Sequence, residues 1–313
     1  MDTLDSKPDS TRPQRNSMVR DSHGQLLTGP PAMLAGMSVP LDSDGYPQAD
    51  GVHRGEADAD QTRSANRRWW NQAAPAYLNE HGKDLGLVDF LWCPEGLRES
   101  EARLLGEVAG RSVLEIGCGS APCARWLAGE GAAPVGLDLS EQMLAAAAEF
   151  GRQTTAAVPL VQADVSALPF ASASFDLACS AFGGFPFVAD AKAALAEVAR
   201  VLRPGGRFVF SVTHPFHWVF PDDSDPAHLE VTGSYFDRRP YVELDEHGRP
   251  MYVEHHRTMG DWIGFIVAAG LVLQDVIEPV WQPGREVVWG YWSAGRAALV
   301  PGTAIFSASL PPA

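Results

Sequence analysis

From about residue 111 onward, short apolar runs alternate with longer segments whose apolar positions recur at helical spacing. The runs at 112–116, 133–137, 158–162, 175–180 and 207–213 predict five strands. Helices are predicted at 122–128, with Pro122 in the first turn where its missing N–H costs nothing, and from the N-cap Ser140 through residue 150. A third is predicted at 192–202, before the turn Pro204-Gly205-Gly206. Such a rhythm predicts a parallel sheet covered on both faces. It breaks after residue 213. Residues 214–257 read as an insertion with antiparallel pieces at 229–236, 241–244 and 250–255, the last two joined by a hairpin turn at 245–248. A helix at 259–269 follows, capped by Thr258 with Asp261 three residues on, then strands at 271–277 and 303–310. The fold expected is α/β: a Rossmann-like, doubly wound, seven-stranded, mostly parallel sheet. Its last strand is antiparallel, and the antiparallel insertion lies between strands five and six.

The N-terminal part has no such rhythm. Residues 1–60 are rich in Asp, Ser, Pro, Gly and Gln, too polar to offset their ordering entropy, and are expected to form a disordered tail. Order is expected from about Ala65. Trp69, Trp70 and Tyr77 sit at helix-compatible spacing, Pro75 predicts a break or bend, and 99–108 reads as a helix. The organisation expected is a tail (1–60) and one domain (61–313). Within that domain fall a helical cap (61–110), a cofactor-binding core (111–213), a substrate cover (214–257) and the end of the sheet (258–313).

Composition narrows the partners. A chain of 313 residues that is 45% hydrophobic has apolar residues enough for a large core. Its net charge of −15, with no Lys/Arg-rich run, opposes a polyanionic partner, so no nucleic acid is expected. Cys93, Cys118, Cys123 and Cys179 form no CxxC pair and read as reduced, buried thiols. The start lacks a basic and apolar leader, and the mildly apolar stretch 26–41 is interrupted by Pro30, Pro31 and Pro40. The expectation is a cytoplasmic protein with no membrane partner; nothing in the pattern speaks to oligomeric state.

The chemistry centres on Val113-Leu114-Glu115-Ile116-Gly117-Cys118-Gly119-Ser120-Ala121-Pro122, where a strand ends, glycines turn the chain and a helix begins. Glycines permit close backbone approach to a ligand, and the helix start offers free N–H groups. Asp138 closes the second strand, where a carboxylate can accept from both ribose hydroxyls of a nucleoside. Glu115 can meet a cation lying over the loop, and Asp164, after the third strand, can accept from an adenine amino group.

This constellation resembles the class I S-adenosylmethionine-dependent methyltransferases, in particular the small-molecule group related to ubiquinone and menaquinone biosynthesis. The resemblance is carried by Leu114-Glu115-Ile116-Gly117-Cys118-Gly119, Gly136-Leu137-Asp138-Leu139-Ser140, Ala163-Asp164-Val165, Leu168-Pro169-Phe170, Ser174-Phe175-Asp176, and Glu197 with Arg200-Val201-Leu202-Arg203-Pro204-Gly205-Gly206. It implies S-adenosylmethionine as cofactor and a small-molecule methyl acceptor. Glu115 would then face the sulfonium or amino end, with Gly117, Cys118 and Gly119 beneath the methionine part. Asp138 would hold the ribose, Leu139 and Met143 pack near the adenine, and Asp164 and the Val165 N–H read its edge. Ala181 and Phe182 would floor the reacting methyl, and Trp70 and Tyr77 cover the site. Ala121 stands at the family's third glycine position. A nicotinamide-dependent oxidoreductase shares the glycine turn but gives no reason for Glu115. A catalytically silent binder of the same cofactor would share the whole loop.

Candidate bases are His214, at the carboxyl end of the fifth strand, and His255 and His256 across the insertion, since histidine titrates near neutrality. These histidines and His217 also lie near Asp222, Asp223 and Glu254 in sequence, but no HxxxH pair occurs and no metal is expected. Phe216, Trp218, Phe220, Tyr235, Phe236, Tyr241 and Tyr252 either wall a pocket for a ring-bearing acceptor or form the insertion's own core.

Overall fold

The computed structural model describes residues 41, 43, 45–49 and 51–313. The tail expected at 1–60 lies mostly outside these, but its last ten residues are structured. Strand β1 (Gly51–Arg54) precedes helix α1 (Ala59–Leu85), and Asp58 caps that helix in a reciprocal capping box with Gln61. Next come α2 (Glu99–Ala102), β2 (Ser112–Ile116), α3 (Pro122–Gly129), β3 (Ala133–Asp138), α4 (Glu141–Thr154) and β4 (Leu160–Gln162). The core continues through β5 (Phe175–Ser180), α5 (Ala191–Val201) and β6 (Leu202–Thr213). The insertion holds β7 (Tyr241–Leu244) and β8 (Pro250–Glu254). The chain closes with α6 (Met259–Ala268), β9 (Val272–Ile277), α7 (Ala294–Ala297) and β10 (Thr303–Ser309).

The main sheet runs β4-β3-β2-β5-β6-β10-β9. Strands β2 to β6 pair in parallel, and β10 is antiparallel to both β6 and β9. The expected seven-stranded sheet with its reversed last strand is therefore present. Alternation along the strands splits the core by face. Leu114, Ile116, Phe208, Phe210 and Phe306 pack with α5 and α6, whereas Val113, Cys179, Val209 and Ile305 pack on the other side with Trp92 and Leu127. All four cysteines are free and buried. Asp176 accepts from the backbone and hydroxyl of Ser112 and pairs with Arg203, orienting the start of β5.

Three local expectations fail. Helix α1 runs through Pro75 without a break, because its two halves are pinned independently. Before the proline, the Asn66 carboxamide pairs with both backbone groups of Val253 (2.9 and 2.8 Å); beyond it, Tyr77 packs on Trp289. The helix expected at 99–108 stops at Ala102, where Arg103 turns left-handed. Buried Glu99 there accepts from Trp92 Nε1 and from the backbone of Leu104 and Leu105, folding the chain back. The strand expected at 229–236 is irregular, with Val231 and Phe236 exposed and no face to bury. The insertion's third strand is instead β1, in the order β1-β7-β8, with both pairings antiparallel.

Candidate functional site

At the carboxyl end of β2 the chain passes through Gly117 (φ +67°) and Gly119 (φ +52°), dihedrals that side chains resist. The two glycines serve different ends. A Cβ on Gly117 would lie 2.9 Å from backbone atoms of Gly183 and Gly184, so this loop packs backbone to backbone on the loop after β5. A Cβ on Gly119 would meet nothing within 4 Å, and that face is open to the cavity. Ala121 takes φ +58° as the residue before α3, a conformation costing roughly 1–2 kcal/mol in a residue with a Cβ. Cys118 fills space: its Sγ would be 3.0 Å from a Cβ on Gly136.

Two carboxylates flank this turn. Glu115 is buried in β2 between Gly136 and Cys179, and one oxygen accepts from the Ala124 N–H at the start of α3 (2.8 Å). Burial pushes its carboxyl up to about 8. Asp138 accepts from the Gly119 N–H and the Ser140 N–H, both at 2.8 Å, and burial raises it as well. The Ser140 hydroxyl donates to Asn71 Oδ1 of α1, tying helix to loop. Asp164 caps the short turn Val165–Ala167 through the Ser166 N–H and lies 3.7 Å from Arg63 of α1.

The glycine turn, Glu115, Asp138 and Asp164 border one cavity of about 1510 Å³. Its wall includes every expected cofactor-side residue except Ala121: Trp70, Tyr77, Glu115, Gly117, Cys118, Gly119, Asp138, Leu139, Met143, Asp164, Val165, Ala181 and Phe182. Trp70 packs edge-on against Tyr77 and Phe187, and Tyr77 against Trp289. Phe182 holds a left-handed φ of +40°, with its N–H on the Ser211 hydroxyl (2.7 Å) and its ring against Trp289. The donor set suits a cationic nucleoside. An open glycine face lies between a carboxylate kept from ionising by burial and a second one already ordered by backbone N–H groups.

The expected bases fall elsewhere. His214 accepts from the Phe216 N–H at Nδ1 and bonds Glu278 through Nε2 (2.8 Å), capping the turn Pro215–Val219. His255 bonds Thr62 of α1 and is driven by burial down to about 3; His256 bonds the Tyr235 carbonyl. None of the three borders the cavity. Histidines beside a strand end were drawn into backbone and helix contacts, a role that residue type alone does not separate from base work. The polar groups that do reach the far end of the cavity include Glu254, Glu243, Thr213, His217, Tyr241, Tyr252 and Tyr291. Gly183-Gly184 was another missed pair, although a glycine doublet directly after a strand is a signal of close backbone approach. Among the described residues, no group of three or more His, Cys, Asp or Glu is placed to hold a metal ion.

A doubly wound sheet with this strand order, a glycine turn after its first parallel strand and acids after the next two is similar to the arrangement of S-adenosylmethionine-dependent methyltransferases. Comparison with known proteins agrees: residues 114–210 match the family described as methyltransferase domain. The demethylmenaquinone methyltransferase of Tropheryma whipplei (strain Twist) is 34% identical over 157 residues, which cover 50% of this chain and 62% of that protein. The match thus spans less than two thirds of that relative's length. An S-adenosylmethionine-dependent methyltransferase of Mesorhizobium loti superposes with a TM-score of 0.50 at 26% identity, covering 69% of this chain and all of the other. The 1,6-didemethyltoxoflavin-N1-methyltransferase of Burkholderia thailandensis, solved with 1,6-didemethyltoxoflavin and S-adenosylhomocysteine bound, shares the fold. It has a TM-score of 0.50 and 18% identity, over 83% of this chain and 93% of that one. The chain thus carries a methyltransferase-domain match at 114–210 and shares its fold with solved S-adenosylmethionine-dependent methyltransferases.

Proposed function

We propose that this protein binds S-adenosylmethionine across the ends of β2, β3 and β4 and transfers its methyl group to a small molecule held beneath the insertion. The observation that carries this reading is the continuity of the cavity. One space runs from Glu115, Gly119 and Asp138 to the aromatic and acidic residues of β7, β8 and the segment 289–292. A volume of about 1510 Å³ exceeds the roughly 300–1,000 Å³ usual for one ligand and leaves room for two. The bound sulfonium supplies an activated methyl group with a good leaving group. The protein then has to align the acceptor and exclude water. Asp138 holds the ribose hydroxyls, Glu115 offers a buried carboxyl that a neighbouring cation draws toward ionisation, and Phe182 and Ala181 floor the space beside it. Trp70 and Tyr77, on α1, close it from above. The net charge of −15 and the aromatic far wall favour a small acceptor over nucleic acid.

The test is direct. Calorimetric titration with S-adenosylhomocysteine should give saturable one-to-one binding. Incubation with methyl-labelled S-adenosylmethionine and a panel of small aromatic acceptors should then move label into product. A protein that ignores S-adenosylhomocysteine does not have this function.

A further inference from the structure

We propose that Glu254 is the general base of the reaction and that the acceptor is an aromatic ring carrying an un-ionised, phenol-type hydroxyl. This rests on the methyl-transfer reading above. Glu254 ends β8, is 9% exposed, and borders the same cavity as the glycine turn. Its Oε1 accepts from the Thr213 hydroxyl and its Oε2 from the Tyr252 hydroxyl, both at 3.1 Å. The Tyr291 hydroxyl in turn donates to Thr213 Oγ1 at 2.7 Å. Every proton in this chain of hydroxyls is directed toward the carboxylate. A carboxylate has about four lone-pair sites, so two remain for a further donor.

The surroundings set the kind of donor. Charged and titratable groups approach Glu254 from each neighbouring element: Arg54 from β1, Tyr241 and Glu243 from β7, Tyr252 beside it on β8, Asp222 from the insertion, and Tyr291 from the segment before α7. Burial outweighs Arg54 and brings the Glu254 carboxyl up to about 7, within reach of a proton exchange at neutral pH. Arg54, stacked 4.5 Å over Trp218, already supplies a cation there, so an acceptor that arrives as a cation is not needed for charge balance. The walls are flat and apolar: Tyr252 packs on Phe187 and Tyr241, and Phe182 on Trp289. Strand β6 touches both sides: its Ser211 hydroxyl accepts from the Phe182 N–H, and its last residue, Thr213, donates to Glu254.

In the step itself, a lone pair on the acceptor oxygen forms the bond to the methyl carbon as the carbon–sulfur bond breaks, its electron pair staying on sulfur. The O–H electron pair stays on oxygen and the proton passes to Glu254 Oε. A sulfonium, a carboxylate and a neutral phenol thus give a thioether, a carboxylic acid and a methyl ether, with charge conserved. Thr213 and Tyr291 act as positioning residues.

The test uses 2-naphthol as the probe, with the full-length protein saturated with S-adenosylhomocysteine, and follows binding by quenching of tryptophan fluorescence. Wild type should bind about tenfold more tightly at about pH 8 than at about pH 6, with a midpoint near 7. Glu254→Gln should bind weakly at every pH while its calorimetric affinity for S-adenosylhomocysteine is unchanged. With labelled methyl donor, transfer to 2-naphthol should fall by about 100-fold or more in Glu254→Gln. Tyr291→Phe, which keeps the ring stacked on His217, should retain binding but move the midpoint upward. An unchanged midpoint in both variants overturns the assignment of the base. Failure of 2-naphthol to bind a protein that binds S-adenosylhomocysteine, or label entering 2-naphthylamine and not 2-naphthol, overturns the acceptor class. Failure to bind S-adenosylhomocysteine removes the underlying methyl-transfer reading instead, a different and separately visible result.

Discussion

Asp138 and Glu115 are both buried carboxylates on the same loop, yet they are prepared differently. Asp138 already accepts two backbone N–H bonds and so has much of its charge solvated by the protein before any ligand arrives. Glu115 has one backbone donor and the Cys123 thiol, and burial holds it near the point of protonation. Asp138→Ala should weaken S-adenosylmethionine by about 1–3 kcal/mol, the worth of a lost charge-assisted bond, measured by calorimetry. The same substitution leaves the N–H groups of Gly119 and Ser140 without their acceptor, so the variant's melting temperature should fall too. Glu115→Gln keeps an oxygen for the Ala124 N–H but removes the charge. Its effect should be confined to ligand binding, again about 1–3 kcal/mol, with the folded state no less stable. A Glu115→Gln protein that binds S-adenosylmethionine as wild type would mean that the carboxylate does not face the cationic end.

Helix α1 carries a cost that the sequence announces and the fold overrides. A proline inside a helix removes one backbone bond and crowds the carbonyl four residues back, at about 3 kcal/mol. Pro75 is exposed, so an alanine there forfeits no packing and restores the N–H that can reach Asn71. Pro75→Ala should therefore raise stability by about 1–3 kcal/mol, read from chemical denaturation; a loss would show that Pro75 is needed to seat Trp70 and Tyr77. The same element shows where sequence reading ends. Strands β2 and β5 were legible to the residue because central parallel strands are continuous apolar runs bounded by turns. The cap of α6 was legible because Thr258 and Asp261 satisfy each other locally. Strand β1 was not, since its apolar content is slight and its order comes from pairing with β7, some 190 residues away. Nor was Glu254, an unremarkable acid at a strand end until Thr213 and Tyr252 converge on it from separate elements. The cofactor side depends on short-range motifs and reads from sequence; the acceptor side depends on tertiary convergence and does not.

Across the whole molecule, buried acids and buried histidines pull stability in opposite directions as pH changes. Burial lowers His81, His214, His217, His255 and His256, so the unfolded chain binds more protons than the folded one as pH approaches 6.5 from below, and stability rises with pH there. Glu115 and Glu254 act the other way. Their folded values, about 8 and about 7, exceed the ordinary 4.5, so the folded protein binds more protons between those limits and stability falls as pH rises. The two effects overlap below about pH 6.5. Above about pH 7 the histidines are close to neutral in both states, Glu254 completes its ionisation, and the cysteines, raised in the folded state, begin to titrate in the unfolded chain toward about pH 8.5. Among the carboxylates Glu115 and Glu254, Glu115 contributes the larger part of the slope in that window. Glu115 should cost the ligand-free protein about 3 °C of melting temperature between about pH 7 and about pH 8.5. Glu115→Gln should flatten this loss, and saturating S-adenosylmethionine should suppress it, because a bound cation favours the ionised carboxylate. The stabilisation conferred by S-adenosylmethionine should accordingly be larger at the alkaline end of the window than at its start. A melting temperature that falls equally in wild type and Glu115→Gln would place the titrating group elsewhere in the fold.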